Sequence, residues 1–237
     1  MLLWLSLGVA VVGCGGTGGG GMQHPLTNDL DPNYAARQVK TLAALPFTSD
    51  ISEDEDPDRI AASMVAGTFY TELNRNTGFT ILPASEVARV VEQAGLKDKL
   101  DGFYKDWLND QWDVDRDFIK EVAAKLRVDG VVAGGVDVWY QKEVDITESG
   151  TSRTQVGVMV GLFDGSTGAR LWLGRDENSA DGLRYSGMDE MSSGQLQRDL
   201  ERTNQRTAGG AYAPPDYAVV VDLVVGALVG AFPSASH

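Results

Sequence analysis

Residues 130–175 leave this chain the fewest choices. Gly130-Val131-Val132-Ala133-Gly134-Gly135-Val136 is apolar throughout, as in a central strand covered on both faces. From Val136 the sequence alternates, with Val136, Val138, Tyr140, Val144 and Ile146 on one face and Asp137, Gln141, Glu143 and Asp145 on the other. A period of two marks a strand with one face on a core. Glu148-Ser149-Gly150 reads as a turn, and Thr154–Leu162 alternates again through Val156, Val158, Val160 and Leu162. Asp164-Gly165-Ser166-Thr167-Gly168 is a tight turn, after which Ala169-Arg170-Leu171-Trp172-Leu173 returns. The segment predicts a three-stranded antiparallel meander. Its second turn requires a positive φ, and Gly168 is the residue suited to it.

The rest of the chain supplies helices and short strands. Val39–Phe47 and Phe79–Leu82 are strand candidates, each closed by a proline, Pro46 and Pro83. Ile60–Asn74 has helical spacing, and Ser85 is expected to cap a second helix through Val87, Val90 and Val91. Lys97–Asn109 and Asp115–Leu126 continue the series. Asp113, Asp115 and Asp117 have the opening spacing of a calcium loop. Phe118 and Ala124 stand where that loop needs glycine and glutamate, so the three read as caps and solvated charges. The acidic run Asp50–Asp58 reads as a loop whose carboxylates precede a helix N-terminus. Tyr217–Phe232 is apolar almost all round and too short for a membrane span, which makes it a core helix. The expected fold class is α/β (α+β): a mixed sheet with helices packed on it, the meander in the second half and an apolar C-terminal helix. One domain is expected over 38–237, with a polar insertion at 177–215.

The N-terminus points to a compartment. Met1–Val12 is a nearly unbroken apolar run that ends in Val11-Val12-Gly13-Cys14, followed by a glycine tract to Gly21. Twelve residues span about 18 Å as a helix, against a hydrocarbon core of about 30 Å. The length is that of a secretory signal's apolar region. The last four residues resemble the bacterial lipobox. Cys14 offers a thiol that takes the diacylglyceryl group, and cleavage after the small Gly13 frees its amine to take a palmitate. No Lys or Arg precedes Arg37, so the positive region of such a signal is missing. The expected division is a signal peptide at 1–13, a flexible glycine-rich tether at 14–37, and then the domain. Gly15 after the cysteine favours sorting to the outer membrane.

Composition narrows the chemistry. The 237 residues carry a net charge of -14, which disfavours nucleic acid, whose binding rests on Lys and Arg at phosphates. With a single cysteine, no disulfide forms within the chain. The two histidines, His24 and His237, lie outside the predicted elements, which leaves no basis for a His-based triad or a His-ligated zinc site. Gly13–Gly18 matches a dinucleotide fingerprint by letter, but glycine and His24-Pro25 follow it in place of a helix. No cofactor or metal is expected. Two of the carboxylates would suffice for a hydrolase, although the sequence marks no particular pair.

Taken in order, the strand ending Leu45-Pro46-Phe47, the run Gly78–Pro83, Ala124–Gly134, the turn Leu162–Trp172 and the apolar last helix resemble a group of bacterial periplasmic lipoproteins. The group contains the curli secretion channel lipoprotein, the penicillin-binding-protein activator lipoprotein and the TolB amino-terminal domain. The resemblance covers about residues 38–232. It implies helices on a mixed sheet and a role in pore formation, in activating envelope enzymes or in assembly, with no catalytic residue. Pore formers of the group have long amphipathic hairpins; here Val136–Phe163 carries Lys142, Glu143, Asp145 and Arg153. The function expected is a non-catalytic binding or assembly module, anchored by lipid at Cys14 to the periplasmic face of the outer membrane. Its partners are other envelope proteins, with a homo-oligomer as a possible assembly. An export-channel subunit is the alternative, and a carboxylate hydrolase the second. Partner contact is assigned to Arg184, Tyr185, Met188 and Met191 in the polar insertion, because such residue types are enriched at interfaces.

Overall fold

The computed structural model describes residues 24–109, 114–144, 150–185 and 213–235. In chain order the elements are β1 (His24–Leu30), a 3-10 turn (Tyr34–Arg37), β2 (Thr41–Ala44), β3 (Thr48–Ser49), α1 (Ala61–Asn76), β4 (Thr80–Leu82) and α2 (Ala84–Gln93). They continue with α3 (Lys97–Asn109), α4 (Arg116–Leu126), β5 (Gly130–Lys142), β6 (Gly150–Asp164), β7 (Arg170–Tyr185) and α5 (Tyr217–Ala231). The strands form one mixed sheet ordered β1-β7-β6-β5-β2-β4, with β3 also against β5. The β1–β7, β7–β6 and β6–β5 pairs are antiparallel, whereas β2 pairs parallel with both β4 and β5 and β3 pairs parallel with β5.

Helices cover both faces of the sheet. On one, α1 and α5 pack Phe69, Val221, Val224 and Leu228 against Val132, Val136, Val158, Val160 and Trp172. On the other, α2, α3 and α4 pack Val87, Phe103, Trp107 and Phe118 against Val131, Ala133, Met159 and Phe163. The apolar opening of β5 is the pattern that this double cover requires. The meander is as expected, and its turn closes on Gly168 at φ +70°. Asp164 Oδ1 accepts from the amides of Ser166 and Thr167 and from the Ser166 hydroxyl. Asp115 caps α4 through the amides of Asp117 and Phe118.

Four expectations need correction. Residues 24–37 are not tether: β1 pairs with β7, and the Tyr34 hydroxyl donates to the Ser234 carbonyl at 2.8 Å. The polar stretch His24–Leu30 lies on a sheet edge, where one side faces solvent, so its composition hid it. Likewise β7 continues to Tyr185, so 177–185 is strand rather than insertion. Glu177–Asp181 is largely polar and no more than half-buried, so no apolar alternation marked it as strand. Ser85 does not cap α2; Pro83 occupies that place, and its carbonyl accepts from Glu86 and Val87.

The fourth correction concerns alternation along β5. Val136 pairs with Val158 and Trp139 with Val156, while the register shifts between Val136 and Val138. This bulge turns Trp139, rather than Val138 and Tyr140, onto the core face with Val136. A Cβ at Gly157 would lie 2.6 Å from Asp137 Oδ1 and 2.8 Å from a Val138 methyl. The glycine makes room for the extra residue.

Candidate functional site

The bulge prepares a surface. On the side of β5 away from β6, β2 pairs with Gly130–Val132 and β3 with Gly135 and Val136. The amide of Asp50 then donates to the Val136 carbonyl at 3.2 Å. Among the described residues no strand pairs with β5 beyond this point on that side. An open edge thus runs from Val138 to Lys142. Beside it the chain leaves β3 and forms the acidic loop that leads into α1.

Internal bonds hold that loop. The Glu55 and Asp56 amides donate to the Ser52 carbonyl, and the Ser52 hydroxyl donates to Glu55 at 2.9 Å. Arg59, at φ +54°, reaches back to the Ile51 carbonyl at 3.2 Å and pairs with Glu53 at 2.7 Å. Asp56 is buried and accepts from the Ile60 and Ala61 amides, both at 3.0 Å. It therefore caps α1, the role expected of this acidic run.

A cleft of about 400 Å³ separates loop from edge, lined by Asp54–Asp58, Ile60, Trp139, Tyr140, Gln141 and Tyr217. Successive strand residues point to opposite faces, so Trp139, Tyr140 and Gln141 line one cleft only because it lies at the strand's rim. The Trp139 and Tyr217 rings stack at 3.9 Å with planes 5° apart. Burial pushes the Tyr217 hydroxyl above its ordinary pKa, with further contributions from the charges of Asp56 and Glu55. Gln141 donates to Thr154 Oγ1 at 3.1 Å and to the Pro215 carbonyl at 3.0 Å, pinning the entry of α5 to the strand. Four carboxylates stand in the lining and no Lys, Arg or His does.

A second depression, of about 430 Å³, lies beside Arg37, Arg127, Asp129, Asp164 and Ser166. Its carboxylates are committed to the fold. Asp129 accepts from the amides of Lys40 and Thr41 and from the Thr41 hydroxyl. Burial pushes its pKa up, but these hydrogen bonds outweigh that and hold it below the ordinary value.

Carboxyls held above the ordinary range are Asp137 and Asp176, both through burial. Asp137 keeps that shift although Arg175 pairs with it at 2.7 Å. The two face opposite sides of the sheet. Asp176 is opposite Val158, a residue of the α1–α5 core, while Arg175 is on the other face with Asp137. A glycosidase pair must flank one bond, and these two do not share a cleft. Among the described residues no group of three or more His, Cys, Asp or Glu converges to hold a metal. Nor is any helix there long and apolar enough to cross a membrane.

Cys14, Met188 and Met191 lie outside the described residues. Arg184 and Tyr185 are the last two residues of β7, paired with Thr151 and Gly150 of β6. The described residues that line the cleft are not among those assigned to partner contact. A signal for it was present in the sequence: an aromatic pair, Trp139-Tyr140, interrupting an alternating strand, and an acidic run with no base before Arg59.

No protein-family model matches the sequence, and no curated protein sequence matches it. Solved structures of similar shape do. The PelC dodecamer of Paraburkholderia phytofirmans is 12% identical, with 90% of this chain and 98% of that chain covered and a TM-score of 0.41. Lipoprotein GNA1162 of Neisseria meningitidis is 18% identical over 69% of this chain and 94% of its own, at a TM-score of 0.37. The LpoB C-terminal domain of Salmonella enterica is 14% identical over 60% and 83%, also at 0.37.

Proposed function

We propose that this protein is a non-catalytic binding or assembly module of the bacterial cell envelope, held by lipid at Cys14 on the periplasmic face of the outer membrane. The observation that carries the reading is the apolar run that closes on Val11-Val12-Gly13-Cys14, with Cys14 the sole cysteine. Acyl chains contribute about 0.8 kcal/mol per buried methylene, and two or more give stable attachment. The acidic charge opposes direct docking on anionic head groups, so membrane contact runs through the lipid. Metabolic labelling with a fatty-acid analogue should mark the wild type and not Cys14→Ala, and density-gradient fractionation should find the labelled protein with outer-membrane vesicles. Equal labelling of both proteins overturns the anchor.

The module works by presenting surfaces on a rigid scaffold. We assign partner contact to Arg184, Tyr185, Met188 and Met191 at and beyond the end of β7. Deleting residues 188–210 should leave the unfolding transition cooperative and remove the main partner from crosslinked envelope extracts. A folded deletion protein that captures the same partners removes Met188 and Met191 from the contact surface.

A further inference from the structure

We propose that the open edge of β5 takes up an extended segment of a partner protein as an added strand, and that Asp54, Glu55 and Asp58 select a segment bearing lysine or arginine. This deepens the binding-module reading and rests on it.

An unpaired strand edge presents a row of N–H and C=O groups ready for another chain, and proteins blunt such edges with prolines, charges or covering loops. Of the five edge residues none is proline and only Lys142, at the far end, carries a charge. The neighbouring loop stands off from the edge and leaves the cleft between them. Five residues of edge, Val138–Lys142, are about 17 Å long, the length of a common strand. Main-chain hydrogen bonds provide affinity in strand addition, while flanking pockets choose the side chains.

The cleft's charge identifies the side chain chosen. Asp56 is consumed by the cap of α1. Asp54 and Asp58 make no hydrogen bond or ion pair within the described residues, and Arg59 is turned away to Glu53. The rim thus offers carboxylates without an internal counter-ion, beside an aromatic wall. Tyr140 is 42% exposed, next to the stacked Trp139 and Tyr217. Lysine and arginine match this wall: an apolar stem lies along the rings, with the cation at the carboxylates and in reach of a ring face.

The test uses the full chain in detergent and, as probe, a labelled ten-residue peptide alternating lysine and threonine, followed by anisotropy. Saturable binding that weakens as salt rises is expected. D54N/E55Q/D58N should weaken it at least about tenfold with the unfolding midpoint unchanged. A peptide N-methylated at alternate residues, which has lost the donors a new strand needs, should weaken to a similar degree. A peptide with glutamate in place of lysine should not bind. Equal binding by the triple variant, by the N-methylated peptide or by the glutamate peptide overturns the proposal, as does spermine competing as well as the peptide. Crosslinking from envelope extracts separates this inference from the reading beneath it. Partners captured by wild type and triple variant alike would overturn strand addition alone, whereas a wild type that captures no envelope protein would remove the binding-module reading as well.

Discussion

Single carboxylates fix several corners of this fold. Asp164 holds the β6–β7 turn through three hydrogen bonds, with Arg37 at 3.5 Å. Burial pushes its pKa up, but the hydrogen bonds and Arg37 outweigh this, and the folded value lies below the ordinary 3.8. A depressed carboxylate adds stability above its unfolded pKa, and that contribution is lost as pH falls through the folded value. Asp164→Asn should therefore lower stability at pH 7 by about 1 kcal/mol. The deficit should vanish below the folded pKa, measured as urea midpoints from pH 7 to pH 2. A deficit that does not change with pH would assign the effect to shape rather than charge. Four residues on, Gly168 has φ +70°, and a Cβ there would lie 2.3 Å from the Arg116 carbonyl oxygen. Gly168→Val should cost about 1–3 kcal/mol for the backbone alone, and more with the contact to α4. An unchanged denaturation midpoint would contradict both effects. This position was legible in the sequence because a turn this short has few solutions; the contact with Arg116 was not, because it joins residues distant along the chain.

At the scale of elements, the bulge in β5 decides more than any helix does. Alternation alone places Val138 and Tyr140 with Val136, and one extra residue reverses everything after it. Nothing local announces the insertion. Its trace is Gly157 on the neighbouring strand, where Asp137 and Val138 both press. Gly157→Val should force the bulge out or open the β5–β6 pair, at a cost of about 2 kcal/mol or more. The Trp139–Tyr217 stack should loosen with it, and a blue-shifted or quenched indole signal unchanged from wild type would refute the coupling. The helices were legible by their spacing and by caps such as Asp115. The outer strands were not: β1 and the far end of β7 are polar, and only their pairing shows them to be strands. The cleft shares that fate, since its acids precede α1 and its rings stand on β5 and α5. The edge that joins them exists only once β3 stops at Ser49.

For the molecule as a whole, two helical layers enclose the sheet, and the mixed α/β class was readable from the order of elements. The same order did not disclose that the sheet begins at His24. That start bears on reach. If the proposed lipid sits on Cys14, then with β1 fixed to β7 from His24 onward ten residues would connect membrane and domain, a leash of at most about 36 Å when fully drawn out. A tether running to residue 37 would have been more than twice as long. That anchor would confine the domain to a shell no deeper than the leash above the lipid. A partner of the β5 edge would then have to come down to that shell, because such a leash could not carry the edge up to meet it.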